Sequence, residues 1–312
     1  MKVLVTGGAG FIGSHVLDRL RAAGFEPRCF DRRPSPHHDP AELDTAIGDI
    51  LDPMAVGAAL EGCDAVLHLA AAADVGEVVK DPAGAEALNA RGTLNVLEAA
   101  RDRGIGHVLY ASTIWVYSDA AESFVDEDHQ LALPSHLYTA TKLAGEAYCR
   151  SYAALYGVRT TILRFGIPYG PRARPAAVVP AFVEKALAGE PLTIAGDGSQ
   201  SRRFVYVEDL AEGAVAALRR DRGDDCRVYN LVSERDVTIR EIAEVVRATV
   251  GDAEIVHTPA RSADFGGVAV SGARAAAELG WRAQTPFEEG VRRYVEWRRG
   301  RELAADGALA TA

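Results

Sequence analysis

The 312-residue sequence has few residues of the kind that staple a chain or hold a metal. Its four cysteines, Cys29, Cys63, Cys149 and Cys226, stand far apart with no CxxC spacing. That excludes a zinc ribbon and a disulfide framework, predicts buried, reduced thiols, and leaves no metal site expected. Positive charge is the minority: 34 Lys and Arg against 44 Asp and Glu give a net charge of −10. The arginines are scattered among acids, so no nucleic-acid surface is expected. No apolar run approaches the ~18 residues of a membrane span. The opening MKVLVTGGAGFIGSH is broken by glycines and leads into an arginine-containing amphipathic segment, so it is not expected to act as a signal peptide. The expectation is a soluble, cytoplasmic protein without internal repeats.

What is present is an ordinary globular balance, 48% hydrophobic and 25% charged, enough for one large domain or two small ones. KVLVT (2–6) reads as a strand, and FIGSHVLDRLRAAG as a helix stopped by Gly24. PRCFD (27–31) and TAIGDI follow as strands and PMAVGAALEG as a short helix. DAVLHLAA (64–71) is a strand apolar enough to be buried on both faces. A long helix is predicted over 82–104, a strand over 107–113, a helix around Tyr138 and a strand over 160–165. The alternation predicts an α/β fold, a Rossmann-type doubly wound parallel sheet. Beyond Gly166, proline and glycine become frequent, and helices over 176–189, 207–220, 238–250 and 286–298 are separated by short strand-like pieces. The expected organisation is a Rossmann domain over 1–165 and a smaller, interleaved C-terminal α/β substrate-binding lobe over 166–300. ELAADGALATA is expected to be a frayed tail over 301–312.

Two spacings carry chemistry. VTGGAGFIGSH contains both Gly8-x-Gly10-x-x-Gly13 and Gly7-x-x-Gly10-x-x-Gly13. A lone glycine pattern is weak, but this one follows a strand and opens a helix at the head of an alternating pattern. There, glycines let backbone N–H groups approach a pyrophosphate at a helix N-terminus. Asp31, at the end of the second strand, is positioned to bind a ribose diol. It favours NAD over NADP, although Arg32 and Arg33 could neutralise an additional phosphate. Asp49 and Ile50 are positioned to flank the adenine, with an ordinary strand-end aspartate nearly as good an account. The second spacing is Tyr138-x-x-x-Lys142, which puts a phenol and an amine on one helix face. By itself such a pair is most often a solvated surface feature.

These features occur in order with HLAA (68–71), Asn89 before GTLNVLEAA, AST (111–113), LRF, YGPR and GDGSQSRRFVYVEDL. The ordered set resembles the extended short-chain dehydrogenase/reductase superfamily, specifically its nucleotide-sugar epimerases and dehydratases, over about Met1 to Trp297. The resemblance implies that Tyr138 is the catalytic acid/base. Lys142 would hold the nicotinamide ribose and lower the tyrosine's pKa, and Thr113 would bridge the substrate hydroxyl and the phenol. It also implies that Gly7, Gly10, Phe11, Ile12, Gly13, Asp31, Asp49, Ile50, Leu69, Ala70, Ala71 and Asn89 line the NAD site with Tyr138 and Lys142. Ile167, Arg202 and Arg261 would meet the substrate beside Thr113 and Tyr138, the two arginines clamping the diphosphate. Surface pairing with Asp209 or Asp264 is the plainer account of those arginines. The residues Ala72 to Val75 would lie near the substrate by the same resemblance. The chemistry agrees on its own terms: a phenol with a pKa near 10 needs a shift of up to ~3 units to work at neutral pH, and a neighbouring cation pushes it that way.

Within the family, dehydratases carry Asp-Glu after the catalytic threonine, and uronate decarboxylases carry a Glu there. Here Ile114 and Trp115 hold those places, which disfavours both reactions. The resemblance then implies a nucleotide-sugar 4-epimerase, of a UDP-hexose or UDP-hexuronate, acting by oxidation at C4, rotation of the keto sugar and re-reduction. An NADPH-consuming 4-ketoreductase and a non-catalytic NAD-binding regulator are the competing readings. Ile167 replaces the family's asparagine before YGP, and Arg203 stands where an aspartate is common; both point away from plain UDP-galactose. His68 is expected to pack or bond to backbone, His37 and His38 to be solvated, Ser112 to pack or cap, and Tyr117 either to approach the sugar or to pack. Relatives dimerise through two long helices, so a homodimer is expected.

Overall fold

A computed structural model describes residues 1–220, 223, 226–259 and 268–309. Strands β1 (Lys2–Thr6), β2 (Glu26–Asp31), β3 (Asp44–Ile47), β4 (Ala65–His68) and β5 (His107–Thr113) join Thr160–Phe165 and Cys226–Leu231 in one parallel sheet. The order is Cys226–Leu231, Thr160–Phe165, β5, β4, β1, β2, β3. The chain therefore reverses direction across the sheet between β1 and β4, and ligands bind at the carboxyl ends of strands on either side of such a switch. The alternation of a strand's side chains explains the two cores. Val3, Val5 and Leu67 face helix α1 (Phe11–Ala22) and the helix Val207–Arg219. Leu4, Val66 and Val108 face the other way, onto α2 (Pro53–Ala59) and later helices. A third core, around Tyr169, Phe182, Val183, Ile242 and Val291, belongs to the residues after 166.

The doubly wound parallel sheet expected from the alternation is present. Four local readings differ from expectation. The single helix over 82–104 is broken into α4 (Pro82–Glu86), a π-helical turn (Ala87–Arg91) and α5 (Gly92–Asp102), and it is preceded by α3 (Val75–Lys80). Asp74 and Asp81 cause the early breaks: their carboxylates accept the backbone N–H groups of Glu77 and Gly84, starting a helix each time. CRVYNL (226–231) is a full strand of the main sheet although it falls within the range expected for a second lobe. The thiols of Cys63 and Cys226 are half-buried, while Cys29 and Cys149 are buried, and none of the four forms a disulfide. The last helix, Phe287–Leu309, takes in most of the stretch expected as a tail. Among the described residues no helix is long and apolar enough to cross a membrane, and no group of His, Cys, Asp and Glu is arranged to hold a metal.

Candidate active site

A cleft of about 960 Å³ opens at the switch between β1 and β4. Its floor is backbone. Gly7 (φ 71°) turns the chain out of β1, its carbonyl accepts from Gly10 N–H at 3.0 Å, and α1 begins at Phe11 with no side chain capping its first N–H groups. A Cβ on Gly13 would lie 2.1 Å from the Gly7 carbonyl oxygen, and one on Gly7 would lie 2.8 Å from Ala70 N. Only glycines permit this close approach, and they leave an N-terminal helix turn open to an anion. Gly7, Gly10, Phe11, Ile12, Gly13, Asp31, Asp49, Ile50, Leu69, Ala70 and Ala71 all line the cleft. Asp31 accepts from Ala9 N–H at 3.1 Å, so its carboxylate is fixed at the edge of the glycine loop. Asn89, on the π-helical turn, is buried beneath the cleft wall. Its amide takes both the N–H (2.7 Å) and the carbonyl (3.0 Å) of Ala72 and donates to Thr141. It shapes the loop after β4.

The other end of the cleft is made of side chains on β5 and α6 (Leu137–Tyr156). His136 caps α6, its Nδ1 accepting from Tyr138 N–H at 3.1 Å. Tyr138 packs against Val78, Ala85, Ala72 and Trp115, and burial pushes its phenol up to about 12. Two groups oppose that shift: a hydrogen bond from the Thr113 hydroxyl, then the positive charge of Arg174. Thr113 Oγ1 in turn accepts from Trp115 N–H at 3.2 Å, which fixes the hydroxyl at the end of β5. Lys142, one turn beyond Tyr138, is buried, and desolvation brings its amine down to about 8 against the opposing charge of Glu146. Its Nζ donates to the Ala111 carbonyl at 2.9 Å and sits 5.1 Å from the centre of the Tyr110 ring. Thr113, Tyr138 and Lys142 thus meet where β5 faces α6, and the charge felt by the phenol is that of Arg174.

Arg172 and Arg174, in the YGPRARP stretch, carry no spacing that marks them as site residues in the sequence. Both line the cleft. Arg172 has φ 68° and pairs with Asp18 at 2.7 Å. Arg174 pairs with Asp74 at 2.9 Å, the same aspartate that caps α3. Arg32, Arg33 and His37 also line the cleft. His37 and His38 are not solvated as expected: burial lowers His37 to about 4, and His38 bridges Ser35 and Asp18. His68 bonds the hydroxyls of Thr6 (2.7 Å) and Thr93 (3.0 Å), and complete burial lowers it to about 3. Ser112 bonds Glu146, and Tyr117 packs, bonded to Arg164 and Asn230.

Two expected substrate contacts, Ile167 and Arg202, are not among the residues that line the cleft. Ile167 is half-buried in a short strand beside Pro168, which does line the cleft. Arg202 lies on the strand Ser201–Arg202, paired with Val237–Thr238, and donates to the Ser201 carbonyl. Asp209, weighed as its partner, accepts the N–H groups of Gln284 and Thr285. Arg203 pairs with Asp236 at 3.0 Å. Arg261 and Asp264 lie outside the described residues.

A family model described as the NAD-dependent epimerase/dehydratase family matches residues 3–231. The chain belongs to that family. NAD is accordingly its cofactor, and the glycine-walled cleft with Asp31 at its edge fits it. The chain is 31% identical to a putative UDP-glucose 4-epimerase of Methanocaldococcus jannaschii, over 95% of this chain and 97% of that one. It is 30% identical to a dTDP-glucose 4,6-dehydratase of Streptomyces antibioticus, over 96% and 92%. The solved structure of MoeE5 in complex with UDP-glucuronic acid and NAD superposes with a TM-score of 0.88 at 31% identity, covering 96% of this chain and 99% of that one.

Proposed function

We propose that this protein is a nucleotide-sugar 4-epimerase acting on a UDP-hexose or UDP-hexuronate. The family contains both epimerases and dehydratases at similar identity, so the reading rests on the site. The observation that carries it is that Trp115, with Ala72, packs against the apolar cluster of Tyr138, Val78 and Ala85. Elimination of water needs a second proton carrier beside the phenol; Ile114 and Trp115 cannot supply one, whereas inversion at a single carbon needs only one acid/base.

In the proposed cycle, Tyr138 takes the proton of the sugar 4-hydroxyl and later returns it. NAD, which the glycine loop and Asp31 would hold, would supply the hydride acceptor and donor for that carbon. The Thr113 hydroxyl stabilises the phenolate, and the field of Arg174 favours the same form. Between the two proton transfers the sugar turns over, which requires the diphosphate to be gripped and the sugar to be loosely held. Arg202 and Arg261 are our candidates for that grip. The cation of Arg174 in the cleft supports the uronate arm of the reading. The exposed Leu155 and Tyr156 at the far end of α6 support a homodimer.

The test is NMR of UDP-glucose and UDP-glucuronate, each incubated with the purified, NAD-loaded protein. Interconversion of the C4 epimers is expected, with neither water nor carbon dioxide lost. A 4-keto-6-deoxy or pentose product as the sole outcome would overturn the reading.

A further inference from the structure

Beneath Tyr138 and Lys142 lies a fully buried polar chain that neither proton transfer nor cofactor binding uses. Glu146 is on α6, two turns past Tyr138 and one past Lys142, on the same face. It receives a hydrogen bond from Ser112 Oγ at 2.6 Å. Arg164 forks onto the same carboxylate, Nε to Oε1 at 2.9 Å and Nη2 to Oε2 at 2.6 Å. The third guanidinium nitrogen donates to the Tyr117 hydroxyl at 2.6 Å, and Tyr117 donates to Asn230 Oδ1 at 3.0 Å. Asn230 N–H reaches Glu127 at 2.8 Å. The Glu146 and Arg164 side chains are 3% and 1% exposed.

A buried ion pair of this kind is poor value as a stabiliser, because desolvation offsets most of its attraction and well-packed apolar residues do as well. What apolar residues cannot supply is direction. Ser112 is the residue before Thr113, and Glu146 is on the helix of Tyr138 and Lys142. The Ser112–Glu146 bond therefore joins the same strand end to the same helix as the Thr113–Tyr138 bond does. The Arg164 fork locks the carboxylate from the neighbouring strand, and Tyr117 ties in the turn that follows Thr113. We infer that Glu146, held by Arg164, is a positioning residue that sets the register of α6 against β5, so that the Thr113 hydroxyl meets the Tyr138 phenol. The inference rests on the proposed roles of Tyr138 and Thr113.

Tyr110 feels the charge of Tyr138, and the other groups around the phenol are few. Thr113 and Trp115 face it from β5 and the following turn, Val78 and Ala85 from α3 and α4, and Arg174 from the loop after YGP. The experiment compares Ser112→Ala and the double variant Glu146→Gln/Arg164→Met, which leaves no lone buried charge, with the parent protein, all NAD-loaded. Tyr138 ionisation is read by ultraviolet difference absorbance against a Tyr138→Phe background, alongside bound NAD, melting temperature and turnover. Expected is a phenol that titrates at higher pH in both variants, because the Thr113 bond is misaligned, with NAD still bound. In the double variant, kcat falls about 10- to 100-fold, as small misplacements of reacting groups do, with KM unchanged. Ser112→Ala moves the same way by less. An unmoved titration in both variants overturns the inference, and so does a loss of turnover that follows melting temperature alone. If no nucleotide sugar is turned over by the parent, the proposed function fails, and the titration still decides the positioning role.

Discussion

The two ends of the cleft are built on opposite terms. The cofactor end is made of backbone: Gly7, Gly10 and Gly13 work by what they lack, and one added Cβ at Gly13 meets a carbonyl at 2.1 Å. The other end, which we propose is catalytic, is made of buried side chains whose charge states are set by burial first and by neighbours second, Tyr138 up to about 12 and Lys142 down to about 8. Damage at the first end should show in binding, and at the second in proton transfer. Tyr138→Phe sharpens the difference most. It is expected to lower kcat by about 10² to 10⁴-fold, the usual scale of general acid–base catalysis, while NAD stays with the purified protein. If NAD is lost along with turnover, the two ends are not separable in this way.

Gly13→Ala is the converse test, with the next largest effect. The new methyl would meet the Gly7 carbonyl and the Gly8 Cα first, both backbone, so the loop must shift. Protein purified from this variant is expected to carry less than a tenth of the NAD of the parent, an order-of-magnitude figure for losing close backbone contacts to an anion. HPLC of the released cofactor measures it. Retention of NAD at parental stoichiometry would show that the glycine loop tolerates what its geometry forbids.

The same contrast explains what was legible in the sequence. The glycine loop and Asp31 could be read because their geometry is local: turn, helix start and strand end fall within one β-α-β unit. Tyr138 and Lys142 could be read as sharing a face, but not as buried, since their covering residues Val78, Ala85 and Trp115 come from three separate segments. The break in the 82–102 helix escaped because apolar spacing runs through it, while the interruption comes from the Asp81 cap and from the π-helical turn that buries Asn89. CRVYNL escaped as a strand of the main sheet because its pairing partner, Thr160–Phe165, lies across an intervening lobe. Arg164 and Glu146 are 18 residues apart, and Tyr117 and Asn230 113 apart; no short-range pattern links such partners.

A third effect should appear in the pH dependence of turnover. Lys142 has its ammonium form below its folded pKa of about 8 and loses it as pH rises through that value. If the ammonium supports the phenolate, kcat should fall on the alkaline side above about pH 8, by up to about tenfold per pH unit for a single titrating group. Lys142→Met should be slow at every pH and lack that limb. A limb that persists in Lys142→Met belongs to another group and removes the lysine from the charge balance of the phenol.

The smallest effect belongs to Arg174, the residue that joins the two ends. It lines the cofactor cleft, and its charge is the one that lowers the Tyr138 phenol after the Thr113 hydrogen bond. The guanidinium is more than half exposed and already paired with Asp74, so water and the carboxylate both screen it. Arg174→Gln should therefore raise the phenol pKa by less than about one unit, moving the acid limb of kcat to higher pH and lowering turnover at neutral pH by less than about tenfold. Asp74→Asn acts in the other direction. Asparagine still caps α3, the partner charge is gone, and the freed guanidinium favours the phenolate, so the limb moves down. Opposite movements in the two variants would establish that a cofactor-cleft cation tunes the catalytic phenol. Movements of the same sign would mean that both substitutions act by disturbing the loop, and the two ends of the cleft would then be electrostatically independent.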